Sequence, residues 1–419
     1  MNIKIHRGLE QIGGCITEIC TATSRIFVDM GQNLPGNSET STPEQDRSLV
    51  ESIFSQNEKE NQAVFYTHGH EDHVGLFEYV PLHVPQYMSV GTKELLLIKN
   101  KILKEGMELN IGQLQKEGCV QEILDEAIAL RINVDNRIKR LSEMNTWDRT
   151  PPRKNPKSIS VGDITITPFF NCHSIYESYM FLVETAGKRI WHTGDYRAHG
   201  YMGKGLYPTL KRYATNIDTL ITEGTMLNRK DECIHENKVA EKMANVMRAF
   251  KYVFVLASAT DIERLASIKN ASIGAKKMMY VCSKFLVATM KLFTERESEL
   301  SHGLFNFSPV MFKRSCLNHM KKRGFVLVTG TSQISRIEEI LKELPINETL
   351  LIYSSWEGYY TIPEQVIANP GYKRFRDLFC NVVDIHTSGH ADITTIKKVI
   401  NIVKPKDIIC IHKEKNTIL

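Results

Sequence analysis

Between positions 68 and 73 the chain reads His68-x-His70-x-Asp72-His73, four metal-ligand side chains within six residues. They follow the apolar run 63–67 and precede Gly75, so they stand where a buried strand gives way to a loop. Imidazole and carboxylate donors suit zinc, and manganese fits the same His/Asp set. Strand alternation puts His68 and His70 on one side, while the turn after them aims Asp72 and His73 elsewhere. That arrangement can feed two adjacent ions. As a plain polar loop, the segment would need a separate buried partner for every imidazole. One loop does not complete two sites, so further donors must come from other strand ends. His173 after the run 164–170, Asp195 after 189–192 and His412 after 408–411 are the candidates, each weak alone. His192, inside a run, reads as a packed core histidine. His83 belongs to no motif and reads as a surface or core residue.

Composition narrows the class. A length of 419 residues suggests two or three domains. At 42% hydrophobic and 24% charged residues, disorder over most of the chain is excluded. The nine cysteines are odd in number and never spaced CxxC, which argues against a disulfide framework or a thiolate zinc knuckle and for reduced cysteines in the cytoplasm. Residues 1–7 lack an apolar signal-peptide core, and no apolar run approaches the roughly eighteen residues of a spanning helix, so no membrane partner is expected. The net charge of +5 is too mild to name a partner.

Strand-like runs with turn punctuation fill the first ninety residues. From 93 to 145 the spacing of Leu95, Leu96, Ile98, Ile102 and Leu103, then Ile123, Leu124, Ala127, Ile128 and Ile132, predicts helix. With the Pro-rich, basic loop 149–156, this makes 93–156 a helical insertion and loop. Residues 231–370 alternate helix and strand, the pattern of a parallel α/β unit. The last segment, 371–419, returns to the style of 1–230, so a second domain is inserted into the first. Within the insert, residues 270–323 hold ten Lys/Arg against three Glu, interleaved with Tyr280, Phe285, Phe293, Phe305, Phe307 and Phe312. Such a stretch suits a nucleic-acid backbone with stacking platforms, but on these residues alone it reads more simply as solvated charge around a core.

His68-x-His70-x-Asp72-His73 with the preceding Asp29, then His173, then Thr193-Gly194-Asp195, resembles the metallo-β-lactamase superfamily. Glu223 in Thr222-Glu223-Gly224 is similar to motif A of its β-CASP nucleases, which cut RNA or DNA. His390 in Thr387-Ser388-Gly389-His390-Ala391 is similar to motif B, and His412 to motif C. The form of motif B and the opening His6-Arg7-Gly8…Gln11-Ile12-Gly13-Gly14 most resemble the prokaryotic ribonuclease J group. The resemblance runs from Ile12 to His412. It implies an αββα metallo-β-lactamase sandwich with an inserted parallel α/β (β-CASP) domain. It also implies one zinc on His68, His70 and His173, a second on Asp72, His73 and His412, Asp195 as the bridge, and Asp29 supporting the ligand loop.

Two zincs about 3.5–4 Å apart hold a bridging hydroxide and stabilise both oxygens of an in-line displacement, which suits a phosphodiester. The resemblance then implies hydroxide attack on single-stranded RNA, by a 5′-exonuclease or endonuclease, with 5′-phosphate and 3′-hydroxyl products. Asp72 and Asp195 serve the metals. His390 donates a proton or binds the scissile phosphate, and Glu223 orients it. Ser388 and the backbone at Gly389 are candidates to hold a phosphate oxygen. In the family the insert closes over the metals to form a narrow channel. On that ground some Lys/Arg of 270–323 line it, and Ser258 and Thr260, after the run 252–256, lie near substrate. His386 reads as structural.

Three other readings remain. A DNA nuclease differs only in whether the 2′-hydroxyl is read. A hydrolase of small esters or lactones needs neither motifs A and B nor a basic insert. A non-catalytic RNA-binding subunit is disfavoured because every ligand type is present. Lys413 stands where the family often has glycine. The sequence stops seven residues after His412, where ribonuclease J proteins carry a further domain that helps them dimerise, so a homo-oligomer is left open with no interface assigned.

Overall fold

The computed structural model describes residues 1–37, 39–151, 154–185, 187–229, 233–297 and 303–419. Three sheets carry the architecture. The first runs β1 (Asn2–Arg7), β2 (Ile16–Cys20), β3 (Ser24–Val28), β4 (Asn61–Phe65), β5 (Gln86–Ser89) and β6 (Asn145–Trp147), in that order. Its first two pairings are antiparallel and the rest parallel. Strand β1 falls within the first ninety residues, where short strands are expected.

The second sheet takes β7 (Ile159–Val161), β8 (Ile164–Asn171), β9 (Ser178–Thr185), β10 (Lys188–His192) and β11 (Thr219–Glu223). The chain then leaves to build a third sheet from β12 (Tyr252–Leu256), β13 (Met279–Val281), β14 (Phe325–Thr329), β15 (Thr349–Tyr353) and β16 (Val382–Asp384). These pair in parallel in the order β13-β14-β12-β15-β16. Finally β17 (Asp407–Ile411) returns to the second sheet beside β11.

The first two sheets pack face to face. Ile26, Val28 and Phe65 meet Ile166, Phe181, Ile190 and Ile221 in one buried cluster. Alternation sends the neighbouring residues outward to helices. Phe27 and Val64 pack against Val50, Ile53 and Phe54 of helix Pro43–Ser55, which opens with a Thr42/Gln45 capping box and proline. Leu182, Trp191 and Leu220 pack against Leu206 and Leu210 of helix Leu206–Tyr213 and Ile396, Val399 and Val403 of helix Ile393–Val403. The layers are therefore αββα. The third sheet is covered on both faces, as an all-parallel sheet must be.

The expected return to the first domain at 371 falls too early. Helix Pro370–Arg376 buries Phe375 against the third sheet, and β16 extends that sheet beside β15. The chain crosses back only after Asp384. A three-residue strand gives too short a pattern to show which sheet it joins.

The insertion is a hairpin of helices Val90–Glu117 and Gln121–Glu143, joined through Gly118 in the left-handed conformation. Its base ties the two domains together. Leu95 sits in the core cluster of the inserted domain, Arg296 pairs with Glu94, and Arg149 pairs with Glu297. The phenylalanines at 293, 305, 307 and 312 are buried in core clusters, so they offer no stacking platform. Pro152 and Arg153 of the basic loop, Glu299 of the basic stretch, and residues 230–231 at the domain boundary lie outside the described residues. No helix among the described residues is long and apolar enough to cross a membrane.

Candidate metal centre

The carboxyl ends of β4, β8, β10, β11 and β17 open on one edge of the sandwich. They deliver His68, His173, Asp195, Glu223 and His412 to the same place. The short helix Glu71–Val74 adds Asp72 and His73.

Two groups of donors form there. In the first, His68 Nε2 lies 3.1 Å and His173 Nε2 3.2 Å from His70 Nδ1. Donors about 2.0–2.1 Å from a tetrahedral zinc stand about 3.3 Å apart, so this triangle has the right edge. Burial, then the neighbouring imidazoles, push His68 and His173 well below the ordinary range, and burial brings His70 to about 4. All three are neutral, with lone pairs to offer.

In the second group, His412 Nε2 lies 3.0 Å from Asp72 Oδ2. His73 Nε2 lies 3.1 Å from Asp195 Oδ2. Among the described residues that buried nitrogen makes no well-aligned hydrogen bond, despite the nearby carboxylate, an orphan that a cation would satisfy. Burial resists ionisation of Asp72, yet His73 and His412 hold its carboxyl at about 2. Asp195 Oδ2 is common to both groups, 3.6 Å from His412 Nε2 and 3.8 Å from His173 Nε2. Its carboxyl is also held low, because His412, His73 and His390 outweigh burial. Burial opposes protonation of His73, but Asp195, Cys15, Asp29 and Asp72 prevail and raise its pKa, so a cation bound there would displace that proton. The converging imidazole nitrogens and ionised carboxylates fit a metal cofactor. Cys15 joins His73 and His412 within 4.8 Å, a neighbour no spacing rule flags.

Backbone interlocks hold the loop. Asp29, at φ 65°, accepts from Thr67 N (2.7 Å) and contacts His73 Nδ1 (2.8 Å). Cys15 N, Gln32 N and Met30 N bond the carbonyls of Asp72, Glu71 and His73. His412, at φ 52°, is fixed by Gly8 O through its amide and by Thr225 Oγ1 at Nδ1.

Beside the donors, His390 Nδ1 lies 2.8 Å from Glu223 Oε2 and 3.7 Å from Asp195 Oδ2. Burial opposes its protonation, but Glu223 and Asp195 prevail and raise its pKa. The preceding loop is held by its carbonyls. Thr387 O accepts from Arg264, Ser388 O from His199 and Arg197, and Gly389 O from His173. Arg197 and Arg264 are themselves buried against Glu236, and Arg197 also meets Asp261 and Glu263. Neither arginine nor His199 carries a sequence signal. Ser388 Oγ accepts from His390 N. Ser258 and Thr260 bond each other at 2.9 Å beyond β12, and neither hydrogen-bonds a donor of the cluster among the described residues. His83 is exposed and His192 buried, as expected.

Residues 377–418 match the family model for the Zn-dependent metallo-hydrolase RNA specificity domain. Ribonuclease J of Sinorhizobium meliloti is 22% identical, over 93% of this chain and 64% of its own length. Ribonuclease J of Mycoplasma genitalium is 20% identical, over 86% of this chain and 58% of its own. The chain thus spans less than two thirds of either. An RNase J-like protein of Methanocaldococcus jannaschii is 22% identical, over 99% of this chain and 92% of its own. The crystal structure of a protein of unknown function from Enterococcus faecalis V583 shares the fold, with a TM-score of 0.69 at 17% identity over 98% and 93% of the two chains.

Fold and donor set together define a metallo-β-lactamase architecture with a β-CASP insertion. Among such proteins the chain is ribonuclease J-like.

Proposed function

We propose that the chain is a di-zinc phosphodiesterase that cleaves single-stranded nucleic acid, RNA before DNA, in the cytoplasm. The observation that carries this reading is the convergence on one carboxylate oxygen. Asp195 Oδ2 stands within 3.8 Å of His173, His73, His412 and His390, so two donor groups and a proton carrier share one centre.

In this reading His68, His70 and His173 hold one ion, Asp72, His73 and His412 the other, and Asp195 both. When bound, the ions supply Lewis acidity toward the phosphoryl oxygens and acidify the attacking water. The protein's own part lies at His390. Its Nδ1 is committed to Glu223, so Nε2 is the atom left to deliver a proton to the departing 3′-oxygen. Glu223 cannot swing away, because Oε1 accepts from the amides of Tyr196 and Ala391. Ser388 and the Gly389 backbone lie beside that imidazole as phosphate contacts, with Ser258 and Thr260 further along the strand. RNA is preferred to DNA on the strength of the RNA specificity domain match and the relatives.

The test is cleavage of 5′-monophosphorylated single-stranded RNA and of DNA of the same sequence. Metal-loaded protein is compared with chelated protein and with His390→Ala. Metal-dependent loss of nucleotides from the RNA 5′ end is the expected exonuclease result, and internal fragments mean endonuclease. Failure to cut either polymer with metal bound overturns the proposal.

A further inference from the structure

Near the donor cluster lies an aromatic group that the metal site does not use. Trp356 follows the carboxyl end of β15, beside the end of β12, where Tyr353 pairs with Leu256. Ligands meet open parallel sheets at this edge. Arg229 Cζ lies 4.6 Å over the Trp356 ring. Trp356 meets Tyr359 edge to face at 5.4 Å and 77°, and Tyr359 stacks on Tyr372 at 4.2 Å and 15°. Gly358 permits this turn, since a Cβ there would lie 2.3 Å from the Trp356 ring. All three rings are half-buried, unlike the core phenylalanines of the basic stretch.

The group is pinned against the first domain. Gln365 Nε2 donates to Asn37 Oδ1 (3.1 Å), and Asn37 donates to Ile12 O. It also adjoins the metal centre through the chain: Arg229 N bonds Met226 O in the turn that leaves Glu223, and Thr225 of that turn contacts His412 Nδ1 at 2.7 Å. Burial, Tyr372 and then Asp72 lift the Tyr359 hydroxyl, while Arg229 pulls it back. Arg229 likewise opposes protonation of His390. Aromatic faces with an adjoining guanidinium are the parts of a sequence-tolerant single-strand site.

We infer that Tyr359 and Trp356, with Arg229, form a stacking subsite for a nucleobase flanking the scissile phosphate. The ring faces take the base and the guanidinium takes its phosphate. The inference rests on the phosphodiesterase reading above. It goes further by assigning the base contacts to this loop rather than to the basic stretch 270–323.

Two measurements separate the two claims. The first is steady-state cleavage of an oligoribonucleotide and of the same chain with abasic riboses. The wild type is expected to show about a tenfold higher KM on the abasic chain. Tyr359→Leu and Trp356→Ala should raise KM about tenfold on the base-bearing chain and treat both chains alike. Tyr359→Phe, which restores the ring face, should recover most of the loss. An unchanged KM in Tyr359→Leu, or an equal rise on both chains, overturns the subsite. The second is fluorescence of a 2-aminopurine oligonucleotide titrated with protein. Quenching by the wild type that weakens in Tyr359→Leu is expected whether or not the chain is cut. Binding without quenching overturns the subsite. Quenching without cleavage overturns the nuclease reading alone.

Discussion

His390 Nδ1 lies 2.8 Å from Glu223 Oε2, a carboxylate whose other oxygen takes two backbone amides. The imidazole is thus fixed in direction and biased toward its protonated form. His390→Ala is expected to lower kcat by about 10²–10⁴, with zinc content unchanged by atomic emission. Glu223→Gln removes the charge that raises the His390 pKa. The acid form is then lost at lower pH, so the alkaline limb of the kcat profile should move to lower pH. An unmoved limb would assign Glu223 a purely structural part.

Gly31 and Gly69 predict opposite outcomes for the same substitution. A Cβ on Gly31 would fall 1.7 Å from Asp72 O, backbone against backbone. Gly31→Ala must therefore push the 71–73 segment away, and a shift of about 1 Å costs roughly 10²-fold in rate. Zinc stoichiometry should fall with it. Gly69 lies inside the ligand motif, yet its Cβ would come no closer than 3.4 Å to Thr92, Ile175 or Leu96. Gly69→Ala is expected to retain bound zinc and most activity. Parallel zinc and activity assays would expose an error in either direction.

The contrast shows what a sequence can disclose. The donor motif was legible because the ligand types crowd into six residues after an apolar strand, and the distant His173, Asp195 and His412 because each ends a strand run. The inserted parallel unit followed from the change in periodicity, whereas the αββα layering was implied only by the resemblance of the motifs. What stayed hidden depends on packing. Cys15 reaches the second donor group only through the pairing of its backbone with Asp72. Arg197 and Arg264 look like ordinary surface cations until burial against Glu236 reveals them as the support of the 387–389 loop. The buried phenylalanines of the basic stretch fit the simpler expectation of solvated charge around a core, although composition by itself does not tell a core ring from a half-buried one.

Asp29 contacts His73 Nδ1 and holds Thr67, while its own backbone sits at φ 65°. Asn tolerates that conformation nearly as well. Asp29→Asn should then preserve the backbone and remove only the charge behind the His73 imidazole. The expected result is a 10–100-fold weaker metal affinity, measured by competition with a chromophoric chelator. Because metal bound to the folded state adds stability by mass action, the gain in Tm on adding zinc should shrink in step. Unaltered affinity would show that Asp29 serves the loop alone.

The joint between the domains should fail in acid, in two stages. Glu236 is fully buried, and although burial resists its ionisation, Arg264 and then Arg197 hold its carboxyl at about 2. Its stabilisation is complete above the ordinary carboxylate value of roughly 4.5 and is lost as pH falls toward 2. His199, bonded to Ser388 O, is kept neutral by burial and by Arg197, with a pKa of about 4. Between its ordinary value of roughly 6.5 and 4, the unfolded chain takes up a proton that the folded chain refuses. Stability therefore falls with pH across that window and gains no further slope from His199 below it. Thermal midpoints of chelated protein from pH 7.5 to 3 should decline first below 6.5 and again below 4.5. Glu236→Gln leaves two buried arginines short of a counter-charge, which costs on the order of 3 kcal/mol at neutral pH, and it should shrink the lower stage, to which Asp72 and Asp195 also contribute. A variant that keeps the full acid slope below pH 4.5 would place the titrating group elsewhere.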